Sequence, residues 1–230
     1  MINHCFFGKD CQIPKSLNGI QNLEEKLKTL NFDFKFKPAF LNQIHSNKVI
    51  VIDQLDKIYS SPLPKADSLV TNIQKLPICV VTADCLPIIF KDEKKQIIAI
   101  THAGWRGAKA GIIENTIKEM FNLGADISNI KAIIGPAILQ NSYEVSHEFY
   151  QEFLDESKNN EEFFFNSKKV NHYMFDLSGY AVSKLKKIGI KEIKDVKIDT
   201  YKNEKAYFSF RRVTHKNEKD CGRNISIVML

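Results

Sequence analysis

The residues in this chain best suited to chemistry lie in three short segments. The first is Thr101-His102-Ala103-Gly104-Trp105-Arg106-Gly107, where an apolar run hands over to a helical pattern. Its glycines permit close backbone approach, and Arg106 offers a fork of donors suited to phosphate or carboxylate. A helix starting there adds unpaired N–H groups that favour an anion. Trp105, the one tryptophan of the chain, precedes that arginine. The plainer alternative is a tight strand-to-helix turn with a structural histidine.

The second segment is Thr82-Ala83-Asp84-Cys85. Cys85 sits in an apolar stretch, where a free cysteine is often only a small core residue. Residues 91–96 read as a charged turn that folds 97–101 back onto 78–90 as a hairpin. That hairpin brings His102 near Cys85. A thiol beside an imidazole is either a nucleophile–base pair or two metal ligands. Asp84 reads two ways, as a group that orients a ligand or accepts a proton, or as a turn cap.

The third segment is Asn42-Gln43-Ile44-His45-Ser46, just before a strand. Two imidazoles and one thiolate leave a fourth position open, which is the pattern of catalytic zinc. Periodicity does not bring His45 to the other two. Further on, Phe208-Ser209-Phe210-Arg211-Arg212 and Gly222-Arg223 place three arginines by expected strand ends. They read as an anion-binding cluster or as a solvated surface. His4, His147, His172 and His215 have no partner at ligand spacing and read as surface or core residues.

These residues need elements to position them. Leu23, Leu27 and Leu30, with Ile20, predict a helix over 19–30. Strands are expected at 48–52, 78–90, 97–101, 130–134, 206–210 and 224–229. The 78–90 run is nearly continuous, as in a strand buried on both faces, with Pro87 breaking it or sitting at a bulge. Helices are expected over 106–122, capped near Gly124, over 146–157, and from Leu177 to Ile188 with Gly189 as the stop. The stretch around Ser60-Ser61-Pro62-Leu63-Pro64 reads as a loop. Mixed strands and helices without a repeat or boundary imply an α/β or α+β class, as one domain over 1–230.

Composition sets the outer limits. The 230 residues are 43% hydrophobic and 26% charged, as in ordinary globular proteins. Ten glycines and seven prolines exclude collagen-like and low-complexity classes. No apolar run approaches the roughly 18 residues of a membrane span. The N-terminus lacks the order of a signal peptide, so a cytoplasmic location is expected. The net charge of +6 is mild and its acids are interleaved, which predicts a solvated surface and no nucleic-acid patch. Five cysteines, an odd count without a CxxC pair, point to free thiols or metal ligands.

Taken together in chain order, several segments resemble the multicopper polyphenol oxidase (laccase-type) family, also called the purine nucleoside phosphorylase laccase-domain family. They are Gln43-Ile44-His45, Ala66-Asp67-Ser68-Leu69-Val70-Thr71, Thr82-Ala83-Asp84-Cys85-Leu86-Pro87, His102-Ala103-Gly104-Trp105-Arg106-Gly107, Ile134-Gly135-Pro136, Tyr143-Glu144-Val145, and Phe208-Ser209-Phe210-Arg211-Arg212 through Gly222-Arg223. The resemblance runs from about residue 38 to the C-terminus. It implies an α+β (mixed α/β) domain of mixed β-sheets layered with helices, and a cytoplasmic monomer. It implies a catalytic zinc on His45, Cys85 and His102, with copper as the older assignment. The implied activities are phosphorolysis of adenosine, inosine and methylthioadenosine, and adenosine deamination. The older assignment is phenol oxidation with copper, and some members are linked to peptidoglycan precursors. On this reading the partners are purine nucleosides and phosphate. Asp84 joins the catalytic set, and Arg106, Arg211, Arg212 and Arg223 are the phosphate-binding candidates.

The chain departs from the family pattern in three places. A Gly-Gly-Val-Ser-like N-terminal loop is replaced by Asp10-Cys11-Gln12-Ile13, and the segment after Ser16-Leu17-Asn18 is short. Where members often carry cysteines, this chain has Ala137 and Asp199. These changes bear on the substrate pocket. Two rivals stay open: a copper-dependent phenol oxidase, for which the histidines in motifs are too few, and a non-catalytic nucleoside- or peptidoglycan-precursor-binding protein with a structural zinc.

Overall fold

A computed structural model describes residues 3–11, 20–55, 59, 62–219 and 221–230. The expectations on Gln12-Ile13, Ser16-Leu17-Asn18 and Ser60-Ser61 lie outside them.

The chain runs β1 (Asn3–Phe7), α1 (Ile20–Thr29), β2 (Val49–Ile52), β3 (Ser68–Thr71), β4 (Ile78–Thr82), β5 (Leu86–Asp92) and β6 (Ile97–Ala103). It continues α2 (Trp105–Lys109), α3 (Ile112–Asn122), β7 (Ile130–Ile134), β8 (Glu144–Ser146), α4 (His147–Glu156), β9 (Phe164–Asn166) and β10 (His172–Phe175). It ends α5 (Leu177–Ile188), β11 (Glu192–Asp195), α6 (Phe210–His215) and β12 (Asn224–Met229). The large sheet has the order β11-β7-β5-β6-β3-β2. A second sheet is β1-β12-β4 and a third is β8-β10-β9.

The period of two along a strand explains the layering. In β5, Ile88 and Phe90 face one side of the large sheet and pack with Ile113, Ile117, Phe153 and Leu185 of the helices. Ile89, with Ile98 and Ile100 of β6, faces the other side and meets Ile78, Val80 and Val228 of the second sheet. The alternate residues Cys79, Ile225 and Ile227 of that sheet turn outward against Leu23 and Leu27 of α1. Helix, sheet, sheet and helix therefore stack as layers, the mixed α+β arrangement expected. Central strands buried on both faces account for the unbroken apolar runs. Among the described residues no helix is long and apolar enough to cross a membrane.

Three sequence expectations are corrected. The 78–90 run is two strands in two sheets, broken not at Pro87 but at Ala83–Cys85, where Asp84 takes φ +90°. Pro87 fits as the second residue of β5; its carbonyl accepts the Gly135 N–H at 2.9 Å. The 106–122 helix breaks at Gly111, whose φ of +92° is left-handed and open to glycine. Residues 206–210 form no strand. The Asn224 side chain clips the backbone N–H and C=O of Phe208 at 2.9 Å each, and Ser209 then caps α6 at the Arg212 N–H. The α5 helix and its stop at Gly189, φ +102°, fall where the periodicity put them.

Candidate metal and anion site

The hairpin delivers the first two residues. In β5–β6, Leu86 pairs with Ala103 and Pro87 with His102, so Cys85, one residue before β5, arrives at the His102 end. His45 arrives by another route. The Gln43 side chain pairs with β4 like a strand, its amide donating to the Val81 carbonyl at 2.7 Å and accepting the Val81 N–H at 2.8 Å. His45 itself sits at φ +58°, a sparsely populated region for a side chain of this size.

Asp67 holds that conformation. Its carboxylate, fully buried, accepts the backbone N–H groups of Ile44 at 3.3 Å, His45 at 2.9 Å and Ser46 at 2.6 Å, and the Ser46 hydroxyl at 2.8 Å. The same carboxylate meets Nδ1 of His102 at 2.8 Å. One side chain thus fixes the His45 loop and orients the second imidazole, leaving Nε2 of His102 for the site. The site assignment from sequence did not include Asp67. The available signal was a carboxylate at the head of a short uncharged strand, Ser68-Leu69-Val70-Thr71, which must be paired if buried.

The result is convergence. One donor atom from each of His45, Cys85 and His102 lies within 4.8 Å of the other two. Cys85 Sγ is 3.9 Å from His45 Nε2, and the two imidazoles meet edge to face at 4.7 Å. Donors of a tetrahedral zinc stand roughly 3.5 Å apart, so the set fits an ion with little adjustment. One thiolate and two imidazoles suit zinc or copper alike. Burial opposes a charge on Cys85, yet the neighbouring His102 and His45 outweigh it and hold the thiol well below its ordinary value. His102 is raised against burial by Cys85 and then Asp67. Asp67, despite burial, is held down to about 2 by His102 and Ser46.

Gly104 closes one wall. A Cβ there would stand 2.9 Å from Cys85 Sγ and 3.0 Å from His45 Cδ2. Gly104→Ala should therefore lower metal affinity on the order of 10- to 100-fold, read by chelator competition.

The remaining candidates separate. Asp84 accepts the Thr200 hydroxyl at 2.8 Å and the Arg211 N–H at 2.7 Å, which is a turn and helix-end role. Arg212 is buried and donates to the carbonyls of Thr200, Tyr201 and Tyr207. Arg212→Lys loses this fork and should cost about 2 kcal/mol, a fall of roughly 4 to 8 °C in Tm, with phosphate dependence unchanged. Arg223 donates to the carbonyls of Cys221 and Gly222. Arg106 is exposed and stacks on Trp105 at 4.2 Å, its guanidinium without a hydrogen bond among the described residues. Since α2 spans only Trp105–Lys109, a helix dipole adds little there. Arg211 uses one N–H on the Glu144 carbonyl at 2.6 Å and lies over the Tyr143 ring. Ala137 and Asp199 face each other across an isolated bridge.

Known proteins resemble this chain in sequence and in fold. A sequence model of the family described as multi-copper polyphenol oxidoreductase laccase matches residues 17–230. A purine nucleoside phosphorylase of Rickettsia prowazekii is 42% identical over 175 residues, 76% of this chain and 70% of that protein. One from Rickettsia conorii is 40% identical over 204 residues, 88% of this chain and 82% of that one. The crystal structure of a Neisseria meningitidis protein superposes with a TM-score of 0.80 at 26% identity, covering 99% of this chain and 90% of that one.

Proposed function

From the premise that this chain belongs to the multi-copper polyphenol oxidoreductase laccase family, we propose that it is a metal-dependent purine nucleoside phosphorylase. The observation that carries this reading is a thiol and two imidazoles converging, with Arg106 two residues past the Gly104 wall and the Arg211 N–H on Asp84 next to Cys85; both guanidinium groups keep free donors. The relatives named purine nucleoside phosphorylase support it.

His45, Cys85 and His102 would hold the metal, with zinc the preferred ion. Bound there, it supplies a Lewis acid beside the reacting groups. The protein's own residues do the rest. Asp67 keeps the His102 ring in one tautomer and orientation. Arg106 and Arg211 bring phosphate close. A phosphate oxygen attacks C1′ of the ribose as the bond to the purine nitrogen breaks. The purine nitrogen leaves with the bonding electron pair and takes up the proton that the attacking hydrogen phosphate gives up, and ribose 1-phosphate is the second product.

Phenol oxidation by several coppers requires more ligands. Among the described residues only this one group of three His, Cys, Asp or Glu side chains comes together.

The test is purified, zinc-loaded protein with adenosine, with and without phosphate, followed by chromatography. Adenine should appear only with phosphate. Inosine without adenine would replace phosphorolysis by deamination. Neither product would leave a nucleoside-binding protein as the better reading.

A further inference from the structure

Resting on that reading, we propose that Tyr143 and Arg211, together with Arg106, form an oxyanion pocket beside the metal position that takes inorganic phosphate, with the Tyr143 hydroxyl as one of its donors.

Tyr143 is delivered rigidly. A 3-10 turn, Gln140–Ser142, leads into it, and the Ser142 hydroxyl donates to Asp199 at 2.6 Å. A carboxylate therefore anchors the turn. The Tyr143 carbonyl accepts the Phe175 N–H at 3.0 Å. Its ring packs against Phe175 and Phe149, at 5.7 and 6.3 Å between centroids. The Arg211 guanidinium stands 5.1 Å from the ring centroid.

The Tyr143 hydroxyl has no hydrogen-bond partner among the described residues and is not sealed from solvent, so it is open to a ligand. Burial, and then the charge on Cys85, push the phenol up, while Arg211 and Arg106 pull against them. The group therefore stays protonated at neutral pH and donates. Around it stand Arg211, whose guanidinium lies over the ring, and Asp84, which holds the Arg211 backbone N–H next to Cys85. Asp84, the one carboxylate among them, is already occupied by Thr200 and the Arg211 N–H. What remains is the Tyr143 hydroxyl, the Arg106 guanidinium and the part of the Arg211 fork not used on Glu144.

Arg211 is held so that it can serve. Its backbone N–H is fixed on Asp84 and one Nη1 bond is fixed on Glu144. The rest of its fork remains for the two oxygens of an anion, the geometry a phosphate matches. The Arg106 end is linked through aromatic rings: Trp105 lies under Arg106 and 4.8 Å from Phe149, which in turn packs on Tyr143.

Trp105 is the only tryptophan in the chain, so its emission reports on Arg106 directly. The experiment titrates inorganic phosphate into zinc-loaded protein and follows Trp105 fluorescence, with calorimetry as the second readout. Wild type should bind phosphate saturably. Tyr143→Phe, which keeps the ring, should weaken phosphate about tenfold, as should Arg211→Lys. Zinc content and Tm should stay at wild-type values in Tyr143→Phe, and in turnover KM for phosphate should rise while KM for nucleoside holds. Unchanged phosphate affinity in Tyr143→Phe overturns the pocket, as does a wild type that binds no phosphate. Phosphate binding that weakens in both variants supports the pocket even where no nucleoside is turned over; that second result would count against the phosphorylase reading alone.

Discussion

Cys85→Ala should leave the chain folded and remove its metal and its phosphorolysis together. Cys85 lies in the turn between β4 and β5 and belongs to none of the three core clusters, so losing its sulfur opens little space in the core. Its loss to the site is larger. His45 and His102 remain, but two imidazoles hold zinc far less tightly than two imidazoles and a thiolate. Metal affinity should fall by at least about 100-fold, the upper end of what losing a mere outer-sphere partner costs. Elemental analysis after dialysis should find near-stoichiometric metal in wild type and almost none in the variant. Turnover should fall in proportion. The measurement also decides between the two roles open to a thiol beside an imidazole. A variant that keeps full metal yet loses activity would make Cys85 a nucleophile with His102 as its base. A variant that keeps both would remove Cys85 from the chemistry.

Much of this site was legible because it follows from strand periodicity. The charged turn at 91–96 folds β6 onto β5, and pairing then fixes which ends meet, so Cys85 and His102 had to be neighbours. The Leu177–Ile188 helix was equally plain, since its apolar spacing and terminal glycine agree. What was not legible depended on single side chains. Nothing periodic announces that Gln43 borrows the Val81 backbone as a strand would, or that Asp67 gathers three N–H groups of a left-handed turn. The Tyr207–Phe210 stretch alternates in a strand-like way, yet Asn224 takes the backbone groups that a neighbouring strand would need. The 78–90 run reads as one strand because both of its halves are buried, and burial on both faces erases the alternation that would expose a break. The four arginines look alike in sequence. Only the location of buried carbonyls separates the two that hold the fold from the two that keep donors free.

Asp67→Asn should damage stability and metal binding at once, with no change in side-chain shape. The carboxylate accepts five contacts, from three backbone N–H groups, one hydroxyl and one imidazole. An amide offers one oxygen and turns an NH2 group toward donors, so at least one buried N–H is left unpaired. A buried hydrogen bond to a charged group contributes about 1.5 to 3 kcal/mol, and a loss near 3 should lower Tm by roughly 6 to 12 °C. Without its anchor the His45 turn, at φ +58°, loses the contacts that offset its strain, and His102 loses the partner that sets its tautomer. Metal affinity should fall on the order of 10- to 100-fold. The acid limb of stability identifies the cause. Asp67 titrates at about 2 in the folded protein against an ordinary value of 3.8. A depressed carboxyl stabilises the fold above the unfolded value and loses that stabilisation as pH falls toward the folded one. The shift corresponds to roughly 2 kcal/mol at neutral pH. In chelator-treated protein, the stability gap between wild type and Asp67→Asn should therefore be full at pH 5 and narrow between pH 4 and 2. Denaturant unfolding at a series of pH values measures it. A gap that is constant across that range would mean that Asp67 acts by shape alone, and that its charge does not hold the His45 turn and His102 in place.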